Sequence, residues 1–228
     1  MQLGARLQTV ADFVPRGSRV ADIGTDHAYL PIMLTEEKKV AGVIACDVNE
    51  GPYTVACNMV REAGLVETIE VRLGNGLKVL KPDEVDTVTI AGMGGGLICE
   101  ILEASADVVG VLTALILQPM NGEAELRGWL YANKWYIEDE ALTIDDNRLY
   151  EVIYARQGVQ ERPEELLLEI GPVLWRKKPK LLKQHIENLL FQKRRAVLGM
   201  KNSTKAMKTK KYTVTIERIL ELERRLKW

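Results

Sequence analysis

Between Arg19 and Ala132 the chain repeats one pattern: a short strand-like run stops at a turn-forming or polar residue, and a helix-length segment follows most of them. The runs are Arg19–Ile23, Val40–Cys46, Ile69–Leu73, Val85–Ala91 and Ala114–Leu117. The helical segments are Tyr29–Thr35, Pro52–Glu62 (closed by Gly64), Ile98–Ala104 and Glu123–Ala132. Strands this apolar need cover on both faces, and strands separated by helices pair in parallel. Ahead of them Leu3, Leu7, Val10, Ala11 and Val14 share one helical face. Behind them Trp135–Leu142 and Leu149–Ala155 read as a closing β-hairpin. The expected core is an α/β sheet wrapped by helices. In open sheets of that kind ligands bind just beyond the carboxyl ends of the strands.

What stands at those ends narrows the ligand. The first is Asp22-Ile23-Gly24-Thr25-Asp26-His27. A phosphate site wants bare backbone N–H groups at a helix start, and two aspartates would repel the anion. A dinucleotide fingerprint needs G-x-G-x-x-G, and this turn holds one glycine. Gly92-Met93-Gly94-Gly95-Gly96 is glycine-rich but lacks the Lys-Ser/Thr of a P-loop. Acidic turns suit a ligand with cations and hydroxyls, and S-adenosylmethionine (SAM), with its ammonium, sulfonium and ribose diol, is one. On that reading Asp22 and Gly24 line the methionine end and Asp47 accepts the ribose hydroxyls. Asn75 and Gly76 border the adenine, and Gly92-Met93-Gly94 forms the floor beside the sulfonium. The plainer alternative makes each of these an ordinary turn or cap residue.

No run approaches the ~20 apolar residues of a membrane span, and Met1–Arg6 holds no apolar signal core. Cys46, Cys57 and Cys99 fit neither a disulfide framework nor a zinc spacing, and His27 and His185 alone make a metal site improbable. A cytoplasmic protein without a metal is the expectation. The net charge of −1 conceals an asymmetry. Residues 1–157 hold 13 Lys and Arg against 24 Asp and Glu, a balance of −11; residues 158–228 hold 18 against 8, a balance of +10. The acidic part does not attract nucleic acid by bulk charge, whereas the basic part suits phosphate contacts.

The basic part has its own organisation. Glu164–Trp175 reads as a short amphipathic helix and Pro179 as a break. Leu182, Ile186, Leu189, Ala196 and Met200 follow a heptad-like spacing that Lys193 interrupts. Lys201–Thr204 is a turn in which Ser203 can cap the next helix. Ile216, Ile219 and Leu226 form a second stripe, with Glu221/Arg225 and Glu223/Lys227 as i,i+4 pairs. The expectation is a basic antiparallel helical hairpin in a monomeric protein, with domains at 1–157 and 158–228.

Together, Asp22-Ile23-Gly24-Thr25-Asp26-His27-Ala28-Tyr29-Leu30-Pro31, Ala91-Gly92-Met93-Gly94-Gly95 and Gln118-Pro119-Met120-Asn121 resemble the bacterial tRNA (adenine(22)-N1)-methyltransferases. The likeness runs the length of the chain, including the C-terminal coiled-coil extension. Met120 departs from it, standing where many relatives carry Asn. The resemblance implies a Rossmann-like class I methyltransferase domain, SAM as methyl donor and tRNA as substrate. The expected cofactor residues are Asp22, Gly24, His27, Asp47, Val48, Asn75, Gly76, Ala91, Gly92 and Met93. Arg6, expected as a catalytic residue together with Asp26 and Tyr29, matches an arginine that relatives carry beside the pocket, and Gln118 and Asn121 fall on the substrate side. Ring N1 of adenine has a lone pair in the neutral base, so no strong base is required. Asp26 is the candidate carboxylate for the developing charge or the N6 amino group, and Tyr29 the candidate stacking platform. The alternatives are that Asp26 caps a helix and that Tyr29, like Trp129 and Trp135, is a core aromatic. Phosphate contacts are expected from Arg176, Lys177, Lys178, Lys180, Lys183, Lys193, Arg194, Arg195, Lys208, Lys210 and Lys211. Competing functional readings are a same-fold methyltransferase of ribosomal RNA or protein, and a non-catalytic adaptor.

Overall fold

The computed structural model describes residues 3–37 and 39–228; Met1 and Gln2, which begin the stretch read above for a signal core, lie outside them. The chain forms two compact units, Met1–Arg162 and Pro163–Trp228.

In the first unit seven strands build one sheet in the order β3-β2-β1-β4-β5-β7-β6. They are β1 (Arg19–Ile23), β2 (Gly42–Asp47), β3 (Ile69–Leu73), β4 (Thr87–Met93), β5 (Ala114–Pro119), β6 (Trp135–Asp145) and β7 (Arg148–Gln157). The first five pair in parallel, and β7 runs antiparallel to both β5 and β6. Strand order reverses between β1 and β4, which is where a Rossmann-like sheet opens a crevice. Helices α1 (Ala5–Phe13), α2 (Tyr29–Glu36) and α3 (Glu50–Glu62) share one hydrophobic cluster with Val20, Val43, Ala45 and Ile116. The two-residue period of a strand sends Ala21, Leu115 and Leu117, all buried, to the other face. Helices α4 (Gly95–Glu103), α5 (Ala106–Val109) and α6 (Glu123–Ala132) complete the unit. Each fully buried Leu or Ile of β5 contributes about 1.5–3 kcal/mol.

The closing hairpin is longer than the sequence suggests. Asp146 and Asn147 both take φ > 0 (45° and 60°), the requirement of a two-residue hairpin turn, so Asp145 pairs directly with Arg148. Strand β7 pairs with β5 only as far as Ile153, opposite Leu117, and its first five residues continue beyond. Because β7 is antiparallel to β5, this overhang lies at the carboxyl end of the parallel strands, where the site forms.

In the second unit the helix expected over Glu164–Trp175 is two: α7 (Glu165–Ile170) and α8 (Pro172–Lys177). Gly171 leaves the helical region at φ 98°, and Pro172 has no N–H to continue the ladder. Two further helices, α9 (Leu182–Met200) and α11 (Lys210–Arg225), flank the short α10 (Thr204–Met207), which Ser203 caps through the Ala206 N–H. The buried face of α9 carries Leu182, His185, Ile186, Leu190 and Val197, so Ala196 points outward, contrary to the heptad reading. Lys193 does not break that face as a solvated cation. Its Nζ lies 2.6 Å from Glu169 of α7. The expected i,i+4 pairs of α11 are replaced: Glu221 pairs with Arg218, Glu223 with Arg194 of α9, and Arg225 with Glu164. Ion partners are chosen here by which helices pack together, and spacing along one helix loses.

Candidate active site

The turn after β1 is held against β2. Cys46 O accepts hydrogen bonds from the N–H groups of Gly24 (2.8 Å) and Thr25 (2.9 Å). Three residues of this turn, Gly24, Asp26 and Ala28, sit at φ of 76°, 53° and 56°. For Ala28 that conformation costs roughly 1 kcal/mol, a kind of strain that collects at functional sites. The coil aims side chains into a cavity of about 410 Å³ lined by Arg6, Asp22, Gly24, Thr25, Asp26, His27, Tyr29, Ala91 and Gly92. Its size is in the range of small-molecule sites.

The floor is a bulge in β4. Register shifts between Ala91 and Met93, and Gly92 takes φ 82°, which a side chain would strain. The Gly92 N–H donates to Gln118 Oε1 (3.1 Å) instead of to the ladder. The glycine run that follows answers to packing. A Cβ on Gly95 would come within 2.4 Å of the Gly122 carbonyl oxygen, so these glycines let two turns meet backbone to backbone.

Of two buried carboxylates here, Asp22 lines the cavity, and Asp47, at the end of β2, holds the turn that forms its wall. Asp22 accepts a hydrogen bond from Thr89 Oγ1 (2.6 Å). Burial raises its pKa, and the nearby charge of Asp47 adds to that rise against the opposing effect of the Thr89 hydroxyl. A carboxyl raised in this way stabilises the fold fully only below its unfolded pKa, and that contribution is lost as pH rises through the folded one. In its ionised form Asp22 costs the fold stability, and a cation beside it would offset that cost. Asp47 Oδ2 accepts from the Asp26 N–H (3.3 Å) and Oδ1 from the Asn49 N–H (3.0 Å), leaving lone pairs on both oxygens. Thr25 Oγ1 is buried without a hydrogen bond of normal geometry. Acids beneath and a buried hydroxyl on the wall suit a ligand that is cationic and rich in hydroxyls. The Cys46 thiol is pushed up to about 11 by burial and by Asp47 and Asp22, so it is no thiolate nucleophile at neutral pH.

On the outer side Asp26 does not cap α2. That helix has no side-chain cap, and the Asp26 carboxylate is exposed, 3.7 Å from His27 Nε2. The His27 ring stacks on Tyr29 with centroids 5.2 Å apart and planes 10° apart, and Tyr29 is 37% exposed. Trp135 is core, whereas the Trp129 indole donates to Glu103 (2.7 Å). Asn75 and Gly76 are not gathered with the rest. They line a separate hollow of about 210 Å³ with Leu97, Glu100 and Ile101 of α4. Val48 is exposed beside Asp47.

Gln118 sits elsewhere than a substrate-contacting reading requires. It is fully buried, its Oε1 accepting from Arg6 Nη1 (2.6 Å) and from Gly92, and its Nε2 donating to Pro119 O (2.7 Å). Its amide is spent on holding Arg6 and the bulge. Asn121 is exposed at the end of β5. In the second unit Lys178 lies against the rings of Trp175 and Trp228, and its pKa is lowered by burial and by Arg225. Lys183, Arg194, Arg195, Lys208, Lys210 and Lys211 are exposed. Residues the sequence reading missed are Asp145, whose Oδ2 accepts the Arg6 backbone N–H (3.2 Å), and Arg148 and Tyr150 of β7. The Asp146-Asn147 pair signals the hairpin turn, but nothing local signals that its tip reaches Arg6.

Among the described residues no group of three or more His, Cys, Asp or Glu could hold a metal ion, and no helix is long and apolar enough to cross a membrane. A methyltransferase-domain family matches residues 3–153. The chain is 40% identical over 183 residues to the tRNA (adenine(22)-N(1))-methyltransferase of Bacillus subtilis, covering 78% of this chain and 77% of that one. It is similar to a Streptococcus pneumoniae structure in complex with S-adenosyl-L-methionine (TM-score 0.86, 34% identity, 97% and 98% covered). It is also similar to a Mycoplasma capricolum TrmK structure bound to S-adenosyl-homocysteine (TM-score 0.85, 29% identity, 100% and 99% covered).

Proposed function

Because the chain belongs to the tRNA (adenine(22)-N1)-methyltransferase family, we propose that it methylates N1 of adenine 22 in tRNA with SAM as donor. The observation that carries the reading is the acid-lined cavity at the switch point of the sheet, with Asp26, Tyr29 and Arg6 on its open side. SAM, when bound, supplies the electrophilic methyl group. Asp22 would face its ammonium, Asp47 its ribose hydroxyls, and the hollow beside Asn75 its adenine. Gly92, kept free of a side chain, lets the base approach the floor. Tyr29, braced by His27, offers a face to the splayed-out adenine. Asp26 stands where a carboxylate stabilises the positive charge that grows on the ring as N1 bonds to carbon. The basic unit holds the tRNA backbone, and the protein acts in the cytoplasm as a monomer.

Nucleoside mass spectrometry after incubation with SAM and unmodified tRNA tests the reading. A 1-methyladenosine product mapping to position 22 is expected, and SAM binding without that product would refute it. Asp26→Asn should lower kcat about 10- to 100-fold while the calorimetric Kd for SAM stays within about twofold. An unchanged kcat would remove Asp26 from the chemistry. Replacing Lys208, Lys210 and Lys211 with alanine together should reduce the slope of log affinity for tRNA against log salt by up to about three. A slope equal to that of the parent would remove α11's leading end from the interface.

A further inference from the structure

One group of cations in the acidic unit is not explained by its folding. Arg148 Cζ lies 5.2 Å from the centroid of the Tyr150 ring, and Arg6 Cζ lies 5.7 Å from the same centroid. Both distances are within cation–π range, so the two guanidiniums share one ring. Each is also anchored by one neutral acceptor, Arg148 Nη2 by Met120 O (2.8 Å) and Arg6 Nη1 by Gln118 Oε1 (2.6 Å). Among the described residues no carboxylate forms an ion pair with either side chain. Arg72 and Arg127 of the same unit differ, each being gripped by two glutamates. Asp145 is engaged elsewhere, accepting the Arg6 backbone N–H at the first turn of α1, where an anion is favoured. A guanidinium has five N–H donors, so each arginine keeps several for an outside acceptor.

The placement gives this pair its meaning. Arg6 lines the cavity, and Arg148 and Tyr150 belong to the overhang of β7 at the same end of the sheet. The unit carries −11 and would repel an RNA strand approaching its site. Two unpaired, pre-oriented guanidiniums at the rim give a polyanion a local foothold. Guanidinium matches a phosphodiester in geometry and charge.

Resting on the reading that tRNA is the substrate, we propose that Arg148, together with Arg6, binds phosphodiester groups of the RNA strand beside the target adenine, and that Tyr150 is the positioning residue that holds both arginines. The catalytic unit thus contributes its own backbone clamp in addition to the basic unit. Arg148 sets affinity and register, and base choice lies with the cavity.

The test uses the full-length protein without SAM, titrated with unmodified tRNA by fluorescence anisotropy over a series of KCl concentrations. Arg148→Ala should weaken binding about tenfold and reduce the salt slope by about one. Arg148→Lys should keep the slope, since it keeps the charge. Tyr150→Leu, which changes no charge, should also lower affinity, because the guanidiniums lose their common support. SAM affinity, measured by calorimetry, should remain that of the parent in all three. Parental affinity and slope in Arg148→Ala would overturn the proposal, as would a loss of SAM binding that marks Arg148 as a residue of the fold alone. The two readings fail separately. If the parent binds tRNA in an Arg148-dependent way but forms no 1-methyladenosine, the clamp stands and the reaction falls. If it forms 1-methyladenosine and Arg148→Ala binds and methylates equally well, the reaction stands and the clamp falls.

Discussion

Arg127→Ala is expected to destabilise the unit that carries the site by about 3–5 kcal/mol, the usual cost of removing one partner from a buried ion pair. Arg127 is fully buried on α6. Its Nε lies 2.7 Å from Glu140 of β6 and its Nη2 2.5 Å from Glu151 of β7. Removing it leaves two buried carboxylates facing each other. Burial already raises the pKa of Glu151, with Glu140 contributing and Arg127 opposing. A carboxyl raised in the folded state stabilises most below its unfolded pKa and loses that contribution as pH rises through the folded pKa. Without Arg127 the rise grows, so the deficit should be largest near neutral pH and shrink as pH falls into the acid range. Urea unfolding at several pH values reads both effects. The midpoint of thermal unfolding near neutrality should drop by about 10 °C. An apolar replacement of all three residues should lie much closer to the parent, because no charge is then left buried. A deficit under about 1 kcal/mol, or one indifferent to pH, would show that the triad is not what pins the hairpin to α6.

Asp47→Ala should weaken SAM binding on the order of 100-fold. The carboxylate supports the site twice. It accepts the N–H groups of Asp26 and Asn49, each hydrogen bond to a charged group contributing about 1.5–3 kcal/mol, and it keeps lone pairs for a ribose diol. On the proposed reading its loss would remove the acceptor of the ribose diol, and it frees the strained turn that carries Asp26. Asp47→Asn, which keeps the shape and one acceptor oxygen, should fall between the two. Calorimetry with SAM decides. A Kd within about threefold of the parent in Asp47→Ala would exclude Asp47 as the ribose acceptor.

Much of the cavity's lining was legible from sequence. Asp22, Gly24, Asp26 and His27 follow β1, Ala91 and Gly92 lie at the end of β4, and all surround one cavity. A strand followed by a turn is a local object. Its apolar run and its terminating residue are neighbours in the chain, and pairing in parallel brings the carboxyl ends to one edge. Two polar residues were read less well. Gln118 looked like a polar group at a strand end and is a buried brace, because the β4 bulge and Arg6 both need an acceptor there. Lys193 looked like a surface cation and is committed to Glu169, because α9 turns that face toward α7.

By itself, then, the sequence determined the order of strands and helices, the acidic chemistry at the strand ends and the division of charge between the two parts of the chain. Each rests on periodicity, turn preference or composition, which need no knowledge of what packs against what. The tertiary structure alone decided that Arg6, Arg148 and Tyr150 meet, residues whose separations reach 144 positions in the chain. It also decided that Arg127 is locked between two glutamates and that Asp145 reaches back to hold the start of α1. Those contacts depend on the register of β7 on β5 and on how far the hairpin overhangs, and register is chosen by the whole sheet at once.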